Sequence, residues 1–153
     1  WEGDLVLGKN RESAIGTLVE RTTRFLIIVP LKKRDSTTVR KAFEKEFRKL
    51  PDNLKLSLTY DNGTEMAQHK TFTKNSKVKV YFAHPYSPWE RPTNENTNGL
   101  IRDYFPKGTD FNLVSKKQLK EVQNQLNERP RKTLEYESPL NTISRLYMNQ
   151  NFI

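Results

Sequence analysis

The chain has 153 residues, 34% of them hydrophobic and 29% charged, with a formal net charge of +9. It contains no cysteine, which excludes disulfides, thiolate metal sites and a cysteine nucleophile, and no apolar run approaches the roughly 20 residues of a membrane helix. The length suits one domain, and the positive balance points to a polyanionic partner such as nucleic acid.

The chain opens on Trp1 and enters a strand-like run at once, so a domain cut from a longer protein is expected, with its N-terminal neighbours missing. Glu2 to Gly8 is apolar and β-prone around a single acid, Asp4. Ser13 to Glu20 and Arg24 to Pro30 read as two further strands, and the short joint between them predicts an antiparallel hairpin. The unbroken apolar run Phe25 to Val29 suits a strand covered on both faces.

Asp35 and Ser36 offer an N-cap. Val39, Phe43, Phe47 and Leu50 then form one helical stripe, which Pro51 ends. Leu54 to Tyr60 alternates with period two and reads as a strand with one buried face; its end delivers Asp61. A short helix is expected over 65–73 and a strand over 78–82. The three prolines between His84 and Pro92 require a loop. Asn94 to Tyr104 reads as a helix with Thr93 as N-cap. Ser115 to Glu128 is the clearest helix, with Ser115 and Gln118 as a capping box. A basic, irregular stretch follows, and a last short helix is expected over 140–148. The order predicts an α/β fold with a mixed sheet, an antiparallel hairpin joined to parallel crossovers.

Three acids stand out. Asp4 interrupts an apolar strand, where an uncompensated carboxylate is costly. Asp61 sits where an alternating strand ends, the place at which α/β sheets put ligands. Glu95 falls in the first turn of a helix after the proline-rich loop. If the strands are neighbours and the helix crosses them, the three converge. Converged carboxylates suit hard cations, Mg²⁺ or Mn²⁺, and a two-ion site serves phosphodiester chemistry. Each acid also has a plainer reading: Asp4 as a solvent-facing edge charge, Tyr60 to Gly63 as a hairpin turn, Glu95 as an acid on the helix dipole.

Longer motifs add to this. Trp1-Glu2-Gly3-Asp4-Leu5, Ile15 to Arg21, Thr59 to Met66, Ser87-Pro88-Trp89, Thr93 to Leu100, Tyr104 to Thr109 and Asn127 to Lys132 resemble the integrase-type transposases of bacterial insertion sequences, the insertion-sequence-thirty group of the retroviral-integrase superfamily. The resemblance covers nearly the whole chain. It implies a ribonuclease-H-like fold with a mixed five-stranded sheet, strands 1–3 antiparallel and strands 4–5 parallel, flanked by helices. It implies one integrase-type catalytic core over 1–153, with a basic C-terminal extension from about 129. The 33 residues between Asp61 and Glu95 match the family's aspartate–aspartate–glutamate spacing, and the resemblance makes Asp4, Asp61 and Glu95 the catalytic metal ligands. Three positions depart from its pattern: Glu90-Arg91-Pro92 stands where Gln-Arg-Gly is usual, and Glu135 stands where glycine is usual. Pro92 would stiffen the loop before Glu95.

Asn98 and Arg102 follow Glu95 at helical spacings. With Asn94, Lys107, Arg129, Arg131 and Lys132 they are the expected DNA contacts, most of them to phosphate. Asn96 shares the run with them. Tyr86 and Trp89 can stack on an unpaired base or pin the loop to the sheet. His84 can serve proton transfer or a structural hydrogen bond, and His69 is expected to be exposed. The implied activity is divalent-metal-dependent cleavage and strand transfer at transposon ends. The implied partners are transposon-end and target DNA and at least a second copy of the chain, in a bacterial, nucleoid-associated cytoplasmic setting with no membrane. The alternatives on the same fold are a non-catalytic nucleic-acid-binding module and a ribonuclease-H-like nuclease.

Overall fold

The computed structural model describes residues 1–61 and 63–148; Asn62 and residues 149–153, the end of the expected C-terminal extension, lie outside the described residues. Strand β1 (Glu2–Leu7) runs antiparallel to β2 (Ala14–Val19), which pairs antiparallel with β3 (Leu26–Pro30). On its other side β1 lies parallel to β4 (Ser57–Tyr60), which lies parallel to β5 (Lys79–Phe82). The sheet order is β3-β2-β1-β4-β5, so β1 is the central strand. That position removes the edge reading of Asp4, and the parallel pairing of β4 with β5 removes the hairpin reading of Tyr60 to Gly63.

Among the described residues, helices α1 (Ser36–Arg48), α2 (His69–Ser76), α3 (Pro92–Tyr104) and α4 (Lys116–Glu128) pack on the sheet, and the short α5 (Pro139–Ile143) packs on α4. The expected caps form. Asp35 accepts from the Thr38 N–H at 2.9 Å, and Ser115 with Gln118 makes the capping box of α4. No helix among the described residues is long and apolar enough to cross a membrane.

Period two in the strands divides the core between the two faces of the sheet. Leu18, Ile27, Val29 and Tyr60 meet Phe43 and Phe47 of α1 on one face. Val6, Ile15, Val19, Leu26 and Ile28 meet Ile101 of α3 and Leu119, Val122 and Leu126 of α4 on the other. Two glycines permit close approach on the α1 face. A Cβ at Gly3 would stand 2.8 Å from the Tyr60 ring, and one at Gly16 would stand 2.6 Å from the Phe43 ring.

Side-chain amides join α4 to the sheet rim. Gln123 accepts from the Ile28 N–H at 2.9 Å, and Asn127 accepts from the Leu26 N–H and donates to the Leu26 carbonyl, both at 2.8 Å. Across the other face, the buried Glu44 of α1 binds Arg40 at 2.7 Å and Asn75 of α2 at 3.1 Å. Arg40 continues to Gln68 at 2.7 Å. This network fixes the segment that follows Asp61.

Several boundaries differ from the expectations. Strand β4 begins at Ser57 because Asp52–Leu54 forms a 3-10 turn, and Leu56, nominally on the apolar face, is 70% exposed. The expected helix over 65–73 divides into a 3-10 turn, Thr64–Met66, and α2. Helix α3 starts at Pro92 rather than after Thr93, because proline at the first helical position loses no hydrogen bond and its φ is already helical. The last helix passes into a π-type turn, Ser144–Met148. Within the basic stretch α5 buries Pro139, Thr142 and Ile143, so it packs rather than trails.

Gly16→Ala should destabilise the chain by about 1–3 kcal/mol, the usual cost of overpacking a close-packed site, read as a lower urea midpoint with unchanged slope.

Candidate active site

Asp4 and Asp61 are brought together by strand geometry. Parallel β1 and β4 register Glu2 beside Thr59, and Thr59 N–H donates to the Trp1 carbonyl at 2.8 Å. Two residues further along each strand stand Asp4 and Asp61, at the carboxyl end of β4. Asp61 turns out of the strand, its Oδ1 accepting the Gly63 N–H at 3.1 Å. The Asp4 side chain is 24% exposed and that of Asp61 is 48% exposed.

Arg91 lies between them. Its Nη1 stands 3.7 Å from Asp4 Oδ1 and its Nη2 4.0 Å from Asp61 Oδ2. Nη1 also donates to the Gly3 carbonyl at 3.3 Å. Glu95 stands four residues later in the first turn of α3, exposed, with its N–H donating to the Arg91 carbonyl at 3.2 Å. Asp61, Arg91 and Glu95 line one cavity of about 490 Å³, with His84 and Tyr86 on its far wall. Among the described residues, no three His, Asp or Glu side chains are grouped closely enough to hold a metal ion. The donors nonetheless suit a hard cation: two carboxylates already share a positive charge, and a third opens on the same cavity.

Burial pushes the Asp4 carboxyl above its ordinary range, against the pull of Arg91, and the neighbouring Asp61 pushes in the same upward direction. Asn98 Nδ2 donates to Asp4 Oδ2 at 2.9 Å and orients it. Tyr60 lies beneath the acids, almost wholly buried. Burial, and then the charges of Asp4, Glu65 and Asp61, raise its phenol well above the usual value, so it stays neutral.

Helix α3 is fastened to β1 by Glu2, a residue that sequence reasoning passed over. Glu2 is fully buried on the same face of β1 as Asp4. Its Oε2 accepts the Asn94 N–H at 2.6 Å, and its Oε1 stands 3.1 Å from Arg21 Nε. A carboxylate from another strand thus serves the otherwise orphan donors of the first turn of α3. Period two placed Glu2 and Asp4 on one face, and that was the available signal. Arg91 was seen only as a departure in its neighbours, since nothing in a loop sequence says which way a guanidinium points.

The expected DNA contacts separate. Asn94 is fully buried, and its amide donates to the Glu2 carbonyl and to Thr17 Oγ1, both at 3.3 Å; the expected contact with DNA is corrected to a framing role. Asn98 is half-buried and bound to Asp4. Arg102 Nη2 donates to the Leu7 carbonyl at 2.8 Å, which ties α3 to the end of β1. Lys107, Arg129 and Lys132 are exposed. Arg131 is half-buried, with Nη2 donating to the Leu126 carbonyl at 3.0 Å. Burial lowers its pKa, with Arg129 and Arg24 adding to that, and Arg24 reaches Thr93 Oγ1 in α3. Tyr86 and Trp89 are 98% and 71% exposed, so neither pins the loop to the sheet. Glu90 holds the loop instead, accepting from the His84 N–H at 2.6 Å and meeting its Nδ1 at 2.8 Å. His69 is half-buried against Phe82, not exposed.

A mixed sheet of this order, flanked by helices, is the ribonuclease-H-like fold, which retroviral integrase catalytic cores share. The chain matches the Integrase core domain over residues 1–88, more than half its length, and belongs to that family. It is 52% identical over 145 residues to the transposase InsI of insertion sequence element IS30A from Escherichia coli strain K12, covering 95% of this chain and 38% of that protein. It is 43% identical over 149 residues to the transposase of IS1086 from Cupriavidus metallidurans, covering 97% and 44%. The chain therefore spans less than half the length of these relatives. Among solved structures it resembles the catalytic core domain of BIV integrase, with TM-score 0.73, 16% identity and coverage of 98% of this chain and 96% of that one. It also resembles a chain of the simian T-cell lymphotropic virus intasome, with TM-score 0.71, 18% identity and coverage of 92% and 52%.

Glu2→Ala leaves the buried Asn94 N–H without an acceptor, which should cost about 1–3 kcal/mol. The double change with Arg21→Ala should cost less than the two single changes summed, as a denaturation cycle would read.

Proposed function

We propose that this chain is the catalytic core of a bacterial insertion-sequence transposase, cutting DNA at transposon ends and joining the freed 3′-hydroxyl to target DNA. The observation that carries the reading is the convergence of Asp4 and Asp61 on the Arg91 guanidinium, with Asp61 and Glu95 lining one cavity. The high identity to transposases of insertion sequences supports it.

Asp4, Asp61 and Glu95 would hold Mg²⁺ or Mn²⁺, two ions in the full site. Bound there, such ions activate a water or a 3′-hydroxyl and stabilise the leaving oxygen. The chain supplies the frame. Asn98 orients Asp4, Glu2 sets the start of α3 and hence the approach of Glu95, and Tyr60 remains a neutral floor. Lys107, Arg129, Arg131 and Lys132 would neutralise phosphates and set the DNA in register without reading its sequence. The exposed Tyr86 and Trp89 beside the cavity offer stacking faces for an unpaired terminal base. Joining two DNA ends requires at least two copies, in keeping with the intasome assembly in which one structural neighbour was solved. The reading places the protein in the bacterial cytoplasm with its DNA.

Asp4→Asn, Asp61→Asn and Glu95→Gln should each abolish Mn²⁺-dependent cleavage and joining of end-sequence DNA while binding to it persists; full activity in any of the three would exclude that residue from the site. Arg129→Ala with Lys132→Ala should weaken DNA binding at every sequence alike. It should also reduce the slope of log affinity against log salt by about 0.9 for each phosphate that is no longer neutralised.

A further inference from the structure

Arg91 is placed unlike an ordinary structural ion pair. An arginine kept for stability forms close, paired hydrogen bonds to one carboxylate. Among the described residues, the Arg91 guanidinium straddles two carboxylates at 3.7 and 4.0 Å and makes a direct hydrogen bond only to the Gly3 carbonyl, at 3.3 Å. Its Nε is buried with no acceptor among the described residues. It is held by charge rather than by directed bonds, in a site where two acids would otherwise repel. The side chain is 14% exposed, and the 490 Å³ cavity it lines gives it somewhere to go.

The backbone adds a second element. Arg91 is the residue on which α3 starts, with non-helical φ −136° and ψ 50°, between the 3-10 turn Pro88–Glu90 and Pro92. Glu95 hangs from its carbonyl. The residue that neutralises Asp4 and Asp61 therefore also begins the turn bearing the third acid.

We propose that Arg91 is the resident counter-ion of this site: its guanidinium holds Asp4 and Asp61 together in the metal-free protein and must leave for a divalent cation to bind. The inference rests on the metal-ligand reading of Asp4 and Asp61. Arginine and metal then compete for the same two carboxylates, and the site has two states. In the first the positive charge comes from the chain and Glu95 stands apart. In the second the charge comes from solution and Glu95 is free to join.

The test is Mn²⁺ binding to the chain without DNA, with free Mn²⁺ followed by electron paramagnetic resonance. Arg91→Gln should bind Mn²⁺ on the order of tenfold more tightly than wild type, the factor that about 1.4 kcal/mol represents, and should melt at a lower temperature until Mn²⁺ is added. Asp4→Asn should lose binding. If Asp4→Asn loses binding while Arg91→Gln binds no more tightly than wild type, the counter-ion role is overturned and the metal reading stands. If Asp4→Asn binds as wild type does, both fall. A measurement that needs no folded variant is the Arg91 Nε–Hε nuclear magnetic resonance signal of the wild type. It should shift on adding Mg²⁺, and a signal that stays in place overturns the proposal.

Discussion

The contact on which the rest of the molecule depends is the Glu2 carboxylate under the first turn of α3. The backbones of Asp4 and Asp61 are placed by the sheet, because adjacent parallel strands deliver them to the same level. Glu95 has no such guarantee: it follows a loop with three prolines, and its helix could be set down at many angles. Glu2 removes that freedom by accepting the Asn94 N–H from the floor of the sheet. Burying a carboxylate is costly, and burial indeed raises its pKa; Arg21 and the helix N-terminus together offset the cost. Asn94, Thr17 and Asn98 extend the same attachment to Asp4, so one polar seam runs from the helix to the central strand.

Around that seam the molecule balances charge rather than maximising it. The chain carries a large positive excess, yet the most important positive charge is turned inward, onto two acids. Arg24, Arg102 and Arg131 likewise use their guanidinium groups on Thr93 and on backbone carbonyls. Part of the basic character that points to nucleic acid is therefore structural, and the share left open to solvent falls to exposed residues such as Lys107, Arg129 and Lys132. A composition cannot make this division, because it depends on which long side chains find a carbonyl within reach.

Most strands and helices, and a hairpin joined to parallel crossovers, were legible from period, caps and prolines; the full five-stranded arrangement came from the family resemblance. What was not legible has physical causes. Leu56 matched the alternation of its strand but lies before the ladder starts, so the pattern overstated the strand. Thr93 looked like a cap because prolines usually end elements, whereas Pro92 stands at the first helical position, where an N–H would have no partner within the helix. Asn94 read as a DNA contact because asparagine is a poor helix former and so suggested a functional use; the polar seam explains its presence inside the helix. The three acids were marked by strand placement and motif spacing, but the arginine between them was not, since its role is defined only across the sheet.

The amide contacts of α4 have a consequence for how the protein can associate. Residues four apart on a helix advance about 6 Å and residues two apart on a strand about 6.8 Å, so Gln123 and Asn127 can match Leu26 and Ile28 nearly rung for rung. The helix thereby imitates a sixth strand along β3, and the outward N–H groups there are already taken. An exposed edge of that kind would be a template for pairing with a second sheet. With it occupied, copies of this chain cannot fuse their sheets through β3, and any assembly on that side has to be made by side chains and helices.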